Sequence, residues 1–409
     1  MNILYITLSE PRLSESGIYP DLVRALCRAG HKVTIVYAAS PRKQKETELA
    51  EENGVSILKV VVGENFDVGL LRKGINTLMM EPRLRSAIKR FLADRTFDVC
   101  IYATPPVTFA GVVSYCKKKY GLKTVLMLKD IFPQNAVDIG LFPEGSFIHR
   151  FFRRKERRLY ELSDHIGCMS EGNVRYIKEH EPWLDPKKLF VFPNTIEVSK
   201  ESGVTSDHVK PQSETEEEPL ESGGGPVRFV FGGNLGKPQA ILWLISAICD
   251  PRLTERKDIE FYIIGQGSEK EKVRRAAEQS DNLFYIEQLP VSEYEEKMKE
   301  MDVGMICLDH RFTIPNFPSR ILSYMKAGMP VLACTDEVTD IRDLVERKAL
   351  CGLWRASNDI NGFVDAVFTL AGDRRLRLEM GERGRRYLKE NFDVRRSVEL
   401  IEQRITGKG

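Results

Sequence analysis

Short runs rich in β-branched and aromatic residues alternate with helical patterns along most of this 409-residue chain. The first unit consists of an apolar run at 1–7, a helical pattern at 19–28 and a second apolar run at 31–37. Two apolar runs joined by a helix predict a βαβ unit, whose strands are parallel. Repetition of this unit predicts doubly wound sheets, in which the ligand crevice lies at the carboxyl ends of the strands. The strands are predicted at 1–7, 31–37, 55–62, 98–102, 124–128, 166–169, 189–192, 227–231, 259–264, 283–286, 303–308 and 331–334.

One stretch interrupts the alternation. Residues 198–226 are rich in Ser, Glu, Pro and Gly and contain almost no large apolar side chains, so they cannot bury enough surface to become ordered. A chain of this length is also too long for a single hydrophobic core. We therefore predict an α/β protein with Rossmann-like domains at 1–197 and 227–389, joined by a flexible segment at 198–226. The remaining residues, 390–409, are predicted to pack back onto the first domain.

Charge and cysteine usage narrow the class of protein. The formal net charge is +2, which gives no overall field that would favour nucleic acid. The eight cysteines are scattered without a CxxC pair and fall mostly in apolar runs, as expected for reduced thiols in a cytoplasmic protein. No charged region precedes the first apolar run, so no signal peptide is predicted. The apolar runs are also far shorter than the roughly 20 residues of a membrane-spanning helix.

The segment 316–334 combines a helix–strand unit with a possible anion site. Ser319 is predicted as the N-cap of a helix with Arg320 in its first turn, and Gly328 is predicted to end it. Backbone N–H groups, the helix dipole and a guanidinium would then converge, an arrangement that suits a phosphate group. An ordinary helix start with a solvated arginine remains the alternative.

Three glycine-containing segments follow predicted strands. Gly17 follows the first strand after a long loop, and Gly265-Gln266-Gly267 follows the strand at 259–264. Neither forms the GxGxxG fingerprint, so a dinucleotide site is not predicted. The turn from Gly232 to Lys237 would let the backbone approach a phosphate, with Lys237 adding positive charge. The alternative is a tight turn that carries an exposed lysine.

Taken together, these segments resemble the retaining GT-B glycosyltransferases of the large group-1 family, also called family four. The resemblance covers nearly the whole chain except 198–226, and the order and spacing of its motifs carry more information than any single motif. The motifs at 103–106 and 129–133 further resemble the subgroup that builds O-antigen and capsule repeat units, including N-acetyl-fucosaminyl transferases. The matching segments are Gly17 with RAGHKVTIV at 28–36, VFPNTIE at 191–197, FGGNLGKPQ at 231–239, FYIIGQGSEKEKV with NLFYIEQLP within 261–290, and PSRILSYMKAGMPVLA at 318–333.

The resemblance implies that the C-terminal half binds a nucleotide sugar, with UDP as the expected nucleotide. Lys237 and Arg320 would hold the diphosphate, whose negative charge grows as the glycosidic bond breaks. The segment around Leu289 would meet the base, and Gly17 would close over the donor from the other domain. No Asp-x-Asp pair occurs, so we predict no catalytic metal and no cofactor. The residues assigned to the donor are Gly17, Gly233, Asn234, Lys237, Gly265, Gly267, Leu289, Ser319 and Arg320.

The chain departs from the family pattern at several positions. Pro315 and Ser323 stand where the family has a pair of glutamates, so the group that holds the ribose is not predicted. Lys129 stands where the family has a histidine in its first domain. Asn234 and Gln239 replace an arginine and a lysine of the glycine turn. Nearby residues that could substitute for the missing carboxylates are Asp309, Arg311 and Asn316.

Asp130 is the candidate catalytic carboxylate. It follows the strand at 124–128, where the chemistry of a cleft belongs, and it could accept or orient the proton of the acceptor hydroxyl. A capping role or an ion pair with Lys129 is the alternative. In a retaining enzyme of this kind the departing phosphate could itself take the proton.

Two basic, amphipathic stretches, at 70–91 and 150–158, indicate a possible peripheral contact with the inner face of a membrane. A solvated basic face is the alternative. The main hypothesis is therefore a glycosyltransferase that moves a hexosamine or deoxyhexosamine to a lipid-linked saccharide. The alternatives are a UDP-sugar 2-epimerase on the same fold and a glycan-binding protein with little activity.

Overall fold

The computed structural model describes residues 1–8, 10–42, 44–63, 70–198 and 225–407, and within 70–78 it describes the backbone alone. The predicted flexible segment at 198–226 therefore lies almost entirely outside the described residues. The strands are β1 (Asn2–Thr7), β2 (Lys32–Ala39), β3 (Glu48–Glu52), β4 (Val55–Val61), β5 (Val99–Ala103), β6 (Lys123–Leu128), β7 (His165–Cys168), β8 (Leu189–Val191), β9 (Val227–Gly232), β10 (Ile259–Ile264), β11 (Leu283–Ile286), β12 (Val303–Cys307), β13 (Val331–Thr335) and β14 (Gly352–Ala356).

Helices connect the successive strands. They are α1 (Ile18–Arg28), α2 (Leu70–Phe91), α3 (Ala110–Tyr120), α4 (Gln134–Asp138), α5 (Phe147–Leu162), α6 (Glu171–His180), α7 (Ile241–Ile248), α8 (Pro251–Thr254), α9 (Lys270–Glu278), α10 (Val291–Met298), α11 (Arg320–Ala327), α12 (Ile341–Asp343), α13 (Ile360–Gly372), α14 (Arg374–Asn391) and α15 (Val394–Thr406).

The strands form two separate sheets. The first has eight strands in the order β3-β4-β2-β1-β5-β6-β7-β8, and the second has six in the order β11-β10-β9-β12-β13-β14. All neighbouring pairs are parallel except β3 with β4. The strand order reverses beside β1 in the first sheet and beside β9 in the second, so a crevice opens at each of these points. The predicted fold of two Rossmann-like halves is confirmed.

Burial on both faces explains why the predicted strands read as continuous apolar runs. In β1, Ile3 through Ile6 are fully buried, with alternate side chains entering the cores on opposite faces of the sheet. Two strands were not predicted. β3 has the sequence ELAEE, lies at the sheet edge and keeps polar, partly exposed side chains. β14 is a short edge strand that contains a single arginine among small and apolar residues.

The chain crosses between the two sheets a second time near its end. Ile196 donates its N–H to the carbonyl of Phe392, and Val394 donates to the carbonyl of Ile196, both at 3.0 Å. After this second connection, α15 packs on the first sheet, where Val398 and Ile401 join the apolar cluster that contains Ile3 and Tyr5. The last helix therefore contributes to the core of the N-terminal half.

A loop at 308–315, which we call the crossing loop, also joins the two halves. It follows β12 of the second sheet, yet its Phe312 and Ile314 are buried in the same apolar cluster as Ile131 and Ile139 of the first half. Its backbone is held as well, because Asn173 donates its side-chain amide to the carbonyl of Pro315 at 2.6 Å. Pro315 thus lies in an interface between the halves.

Asp336 follows β13 and is 1% exposed. Its Oδ1 accepts hydrogen bonds from the N–H groups of Val338 and Thr339, whereas Oδ2 is buried with no hydrogen-bond partner among the described residues. Burial is the main reason why the pKa of Asp336 is raised to about 6. Ionisation of this carboxyl therefore opposes folding.

We expect Asp336→Asn to change how stability depends on pH. Because the folded-state pKa lies above the unfolded value, the wild type loses stability from this group as pH rises from about 4 to about 6. The asparagine variant lacks this loss, so its unfolding free energy relative to wild type should increase by at most about 3 kcal/mol over that range. Urea unfolding at pH 4.5 and pH 8 measures the difference, and a difference that is the same at both pH values would contradict the assignment.

Candidate active site

Many of the predicted site residues follow the carboxyl ends of β1, β6 and β9 or lie at the start of α11, where the two crevices open. Gly17 and Asp130 belong to the first sheet, and the glycine turn, Gly265, Gly267, Leu289, Ser319 and Arg320 belong to the second. Each group is assembled by backbone contacts that could not be read from spacing alone.

The glycine turn after β9 packs against the turn after β10. The N–H of Gly233 donates to the carbonyl of Ile264, and the N–H of Leu235 donates to the carbonyl of Gln266, both at 2.9 Å. A Cβ at Gly265 would lie 1.8 Å from the carbonyl oxygen of Gly233, and one at Gly267 would lie 2.5 Å from that of Leu235. A side chain at Gly265 or Gly267 would therefore clash with the backbone of the glycine turn. The absence of side chains at these two positions allows the two turns to pack closely.

We expect Gly265→Ala to displace the turn that contains Gly233. The added methyl group meets a backbone oxygen rather than a flexible side chain, and Gly265 has a positive φ of 150°, so strain of about 2 kcal/mol is expected. Loss of the turn's geometry should weaken binding of UDP at least tenfold, measured by calorimetry. Gly372→Ala is a suitable control, since a Cβ there meets nothing within 4 Å. Unchanged UDP affinity in the Gly265 variant would show that this contact does not shape the site.

Arg320 lies against the same turn. Its guanidinium carbon is 4.1 Å from the centre of the Phe231 ring, and a Cβ at Gly233 would come within 3.2 Å of its Nη2. Its Nη1 is buried and has no hydrogen-bond partner in the described part of the chain. A buried guanidinium N–H without an acceptor is costly unless something outside the protein supplies one. The side chain is thus fixed by stacking on Phe231, with donor capacity left over beside the glycine turn.

The other polar groups of the second half are more exposed. Lys237 and Asn234 are exposed on the glycine turn, where the side-chain oxygen of Asn234 lies against Gly267, and Lys237 forms no ion pair with any described residue. Ser319 occupies the N-cap position of α11, but its backbone is already helical and its side chain makes no capping hydrogen bond. Ser319 thus occupies the predicted N-cap position, next to Arg320, without a capping hydrogen bond from its side chain.

Leu289 lies in the loop between β11 and α10. It is partly buried and packs on the apolar cluster that also contacts Tyr294. The neighbouring Gln288 accepts a hydrogen bond from the side chain of Gln266, which ties this loop to the turn that holds Gly265 and Gly267. The loop therefore borders the same crevice as the glycine turn.

Asp130 lies at the end of β6 in the first half, beside Lys129. The hydroxyl of Thr104 accepts from the N–H of Lys129 at 3.1 Å and donates to the carbonyl of Asp130 at 3.2 Å. The side chain of Asp130 keeps some accessible surface, yet burial raises its pKa to about 6. Burial likewise lowers the pKa of Lys129 to about 7. A group that is surrounded by protein and still reached by solvent lies on the floor of a cleft, where perturbed pKa values are typical of functional residues.

Two aromatic side chains lie near this pair, Phe192 beside Lys129 and Tyr19 near Asp130. The Nζ of Lys129 is 5.3 Å from the centre of the Phe192 ring. Tyr19, in the first turn of α1, has its pKa raised to about 12 by burial and by the charge of Asp130. The N–H of Gly17 just before this helix donates to Asp21 at 3.1 Å, and Asp21 is itself buried. The structure thus brings Gly17, Tyr19 and Asp130 to one side of the crevice. Sequence reasoning placed Thr104 in a motif without giving it a role, and it did not identify Tyr19, which belongs to no motif.

The residues suggested as substitutes for the missing glutamates are engaged elsewhere. Asp309 is buried and forms an ion pair with Arg311 at 2.7 Å, and its N–H donates to the carbonyl of Pro238. Asn316 contributes its carbonyl to Thr339. Among the described residues there is no group of three or more His, Cys, Asp or Glu side chains that could hold a metal ion.

Two family models match successive parts of the chain. Glycosyltransferase Family 4 matches residues 20–200, and Glycosyl transferases group 1 matches residues 226–373. A probable glycosyltransferase of Pseudomonas aeruginosa, WbjE, is 26% identical over 258 residues, which are 63% of this chain and 62% of that protein. The match thus spans less than two thirds of the relative's length.

Several solved structures share the fold over essentially their whole length. Sucrose-phosphate synthase of Thermosynechococcus elongatus has a TM-score of 0.75 at 14% identity, with all of both chains covered. HepE of Anabaena, solved in complex with UDP, has a TM-score of 0.65 at 13% identity, again with all of both chains covered. A trehalose-6-phosphate protein of E. coli bound with UDP-2-fluoro glucose has a TM-score of 0.66 at 12% identity, with 99% of each chain covered. At such identities the likeness concerns the fold.

Proposed function

We propose, from the matches to Glycosyltransferase Family 4 and Glycosyl transferases group 1, that this chain is a glycosyltransferase and that it transfers a sugar from a UDP-linked donor to a lipid-linked saccharide. The donor sugar is proposed to be a hexosamine or deoxyhexosamine. The reaction is proposed to retain the anomeric configuration without a metal or other cofactor. The protein is proposed to act in the cytoplasm, in the synthesis of a cell-surface polysaccharide such as an O-antigen or capsule.

The observation that carries this proposal is the position of Arg320. Its guanidinium is stacked on Phe231 beside Gly233 and retains a buried N–H group without an acceptor. The β-phosphate of a UDP-sugar supplies the missing acceptor, and a charge-assisted bond of this kind is about twice as strong as a neutral one. Lys237 and the N–H group of Ser319 are proposed to add positive potential, whereas the N–H of Gly233 already donates to the carbonyl of Ile264.

These groups favour bond cleavage as well as binding. When the bond between the anomeric carbon and the phosphate oxygen breaks, negative charge accumulates on UDP, and fixed positive groups stabilise that charge most in the transition state. The bond that forms joins the acceptor oxygen to the anomeric carbon. Asp130 is proposed to orient the acceptor hydroxyl and to receive its proton.

The chemistry of the complexes supports this donor class in a limited way. HepE is described in complex with UDP, and the E. coli protein is described with a UDP-sugar analogue. These proteins share the fold with the present chain, and the extension to its substrates is part of the proposal.

The test is release of UDP from a panel of UDP-sugars, with and without a polyprenyl-diphosphate-linked saccharide. We expect release to require the acceptor, and the product to have the same anomeric configuration as the donor by NMR. Thermal unfolding gives a separate measure of donor binding, since ligand at 100 times its dissociation constant adds about 2.7 kcal/mol. No stabilisation by any UDP, GDP or ADP species would reject the proposal, and interconversion of UDP-hexosamines without acceptor would indicate an epimerase.

A further inference from the structure

Three large apolar side chains are exposed around the connection between α4 and α5. Leu141 is 58% exposed, Phe147 is 82% exposed and Ile148 is 50% exposed. We call these three residues the apolar tip. Scattered apolar side chains are normal on a protein surface, but several large ones gathered at one helix start mark a surface that is covered in use.

Unpaired cations lie on α5, in the turns that follow the apolar tip, and on the neighbouring helix α2. On α5, Arg150 and Arg154 have no carboxylate partner among the described residues, because the neighbouring glutamates, Glu156 and Glu161, are engaged by other arginines of the helix. The adjacent α2 reaches α5 where Lys155 lies 3.7 Å from Glu81. Four exposed cations of α2 are likewise without an ion pair in the described part of the chain, namely Arg83, Arg85, Lys89 and Arg90.

Aromatic rings connect the tip to the floor of the cleft. The ring of Phe152 on α5 lies 4.9 Å from that of Phe132, which is two residues beyond Asp130. Phe142, next to Leu141, lies 6.3 Å from Phe132 and 6.5 Å from Phe152. Packed aromatic rings therefore link the segment next to Leu141 with the loop that carries Asp130.

We propose that the apolar tip inserts into the surface of an anionic lipid bilayer, while the unpaired cations of α2 and α5 contact lipid phosphates. An apolar surface bordered by cations complements the acyl boundary and the anionic headgroups of such a bilayer. This inference rests on the proposed function, because a lipid-linked acceptor held in that bilayer would present its sugar beside Asp130. No described helix is long and apolar enough to cross a membrane.

The test is cosedimentation of the full chain with vesicles of phosphatidylcholine alone and with 30% phosphatidylglycerol. We expect at least tenfold tighter binding to the anionic vesicles, weakened by raising salt from 50 mM to 500 mM. The variant F147S/I148S should lose at least tenfold in affinity for these vesicles. The control variant L242S/L378S removes two apolar side chains of similar exposure from the other half of the protein and should bind like wild type.

A second variant tests the charge. R150Q/R154Q should bind anionic vesicles more weakly and with a smaller salt dependence, while its unfolding midpoint stays close to that of wild type. Wild-type protein that ignores anionic vesicles, or tip variants that bind them normally, would overturn the proposal. If the tip substitutions abolish self-association in sedimentation velocity and leave vesicle binding unchanged, the surface joins copies of the chain instead.

Different results would contradict the membrane contact of the apolar tip and the proposed glycosyl transfer. UDP binding and transfer to a water-soluble saccharide acceptor should be the same in wild type and F147S/I148S, whereas transfer to a vesicle-embedded acceptor should fall about tenfold in the variant. Vesicle binding without any UDP release would reject the glycosyl transfer to this acceptor and leave the membrane contact standing. Equal transfer by both proteins to the vesicle-embedded acceptor would reject the docking role.

Discussion

Replacement of Arg320 by alanine is expected to lower kcat for sugar transfer by about 100- to 1,000-fold. Removal of one well-placed hydrogen-bond donor to a developing negative charge typically has an effect of this size. Here the guanidinium of Arg320 is held by stacking on Phe231 beside the glycine turn, so a shorter side chain cannot provide the same hydrogen bond. Arg320→Lys should recover only a small part of the activity, because an ammonium lacks the planar fork of the guanidinium. Steady-state kinetics with saturating donor and acceptor measure both variants.

Arg256→Ala is the matched control. Arg256 also lies over an aromatic ring, that of Phe368 at 5.4 Å, and it precedes β10 at the opposite end of the second sheet. Loss of stacking and charge there should leave kcat unchanged. UDP affinity should fall in Arg320→Ala but not in the control. An Arg320 variant with wild-type kcat would remove the basis for assigning the donor diphosphate to this crevice.

Replacement of Asp130 by asparagine is expected to reduce transfer by about 100- to 10,000-fold, the usual contribution of a positioned general base. The carboxylate form of Asp130 predominates above its raised pKa of about 6. In wild type, kcat/KM should therefore rise as pH increases through about 6, and this rising limb should be absent from the residual activity of the variant. UDP binding should be retained, because Asp130 lies in the other half of the protein from Arg320.

Asp94→Asn provides the control for Asp130. Asp94 is exposed and precedes β5, at the amino ends of the strands and away from the crevice. Its substitution should preserve both the rate and the pH profile. Full activity in Asp130→Asn would indicate that the departing diphosphate takes the proton, and Asp130 would then have only a structural part beside Thr104.

The strand pattern could be predicted because most strands are buried on both faces. Such strands need apolar residues at every position, and the runs at 1–7 and 259–264 coincide closely with β1 and β10. The edge strand β3 could not be predicted, since ELAEE is half-exposed and is recruited by pairing with β4. Pairing of this kind depends on tertiary neighbours and leaves little trace in local composition.

The candidate site was only partly predictable for the same reason. Lys237, Ser319 and Arg320 were identified from their positions after a strand or at a helix start. Sequence spacing did not reveal that Arg320 stacks on Phe231, nor that Thr104 fixes the backbone of Lys129 and Asp130. These contacts join segments far apart in the chain. The roles assigned to the site residues remain predictions for the experiments described above.

The paired hydrogen bonds between Ile196 and the segment from Phe392 to Val394 bear on how the enzyme can open. A single covalent tether would let the two halves rotate about it in any direction, whereas two parallel backbone segments hydrogen-bonded side by side resist twisting. Opening is then expected to be a hinge motion about a single axis near these paired segments. Each closure would then return Arg320 and the glycine turn to the same alignment with Asp130, whereas two freely jointed halves would have to find that alignment again.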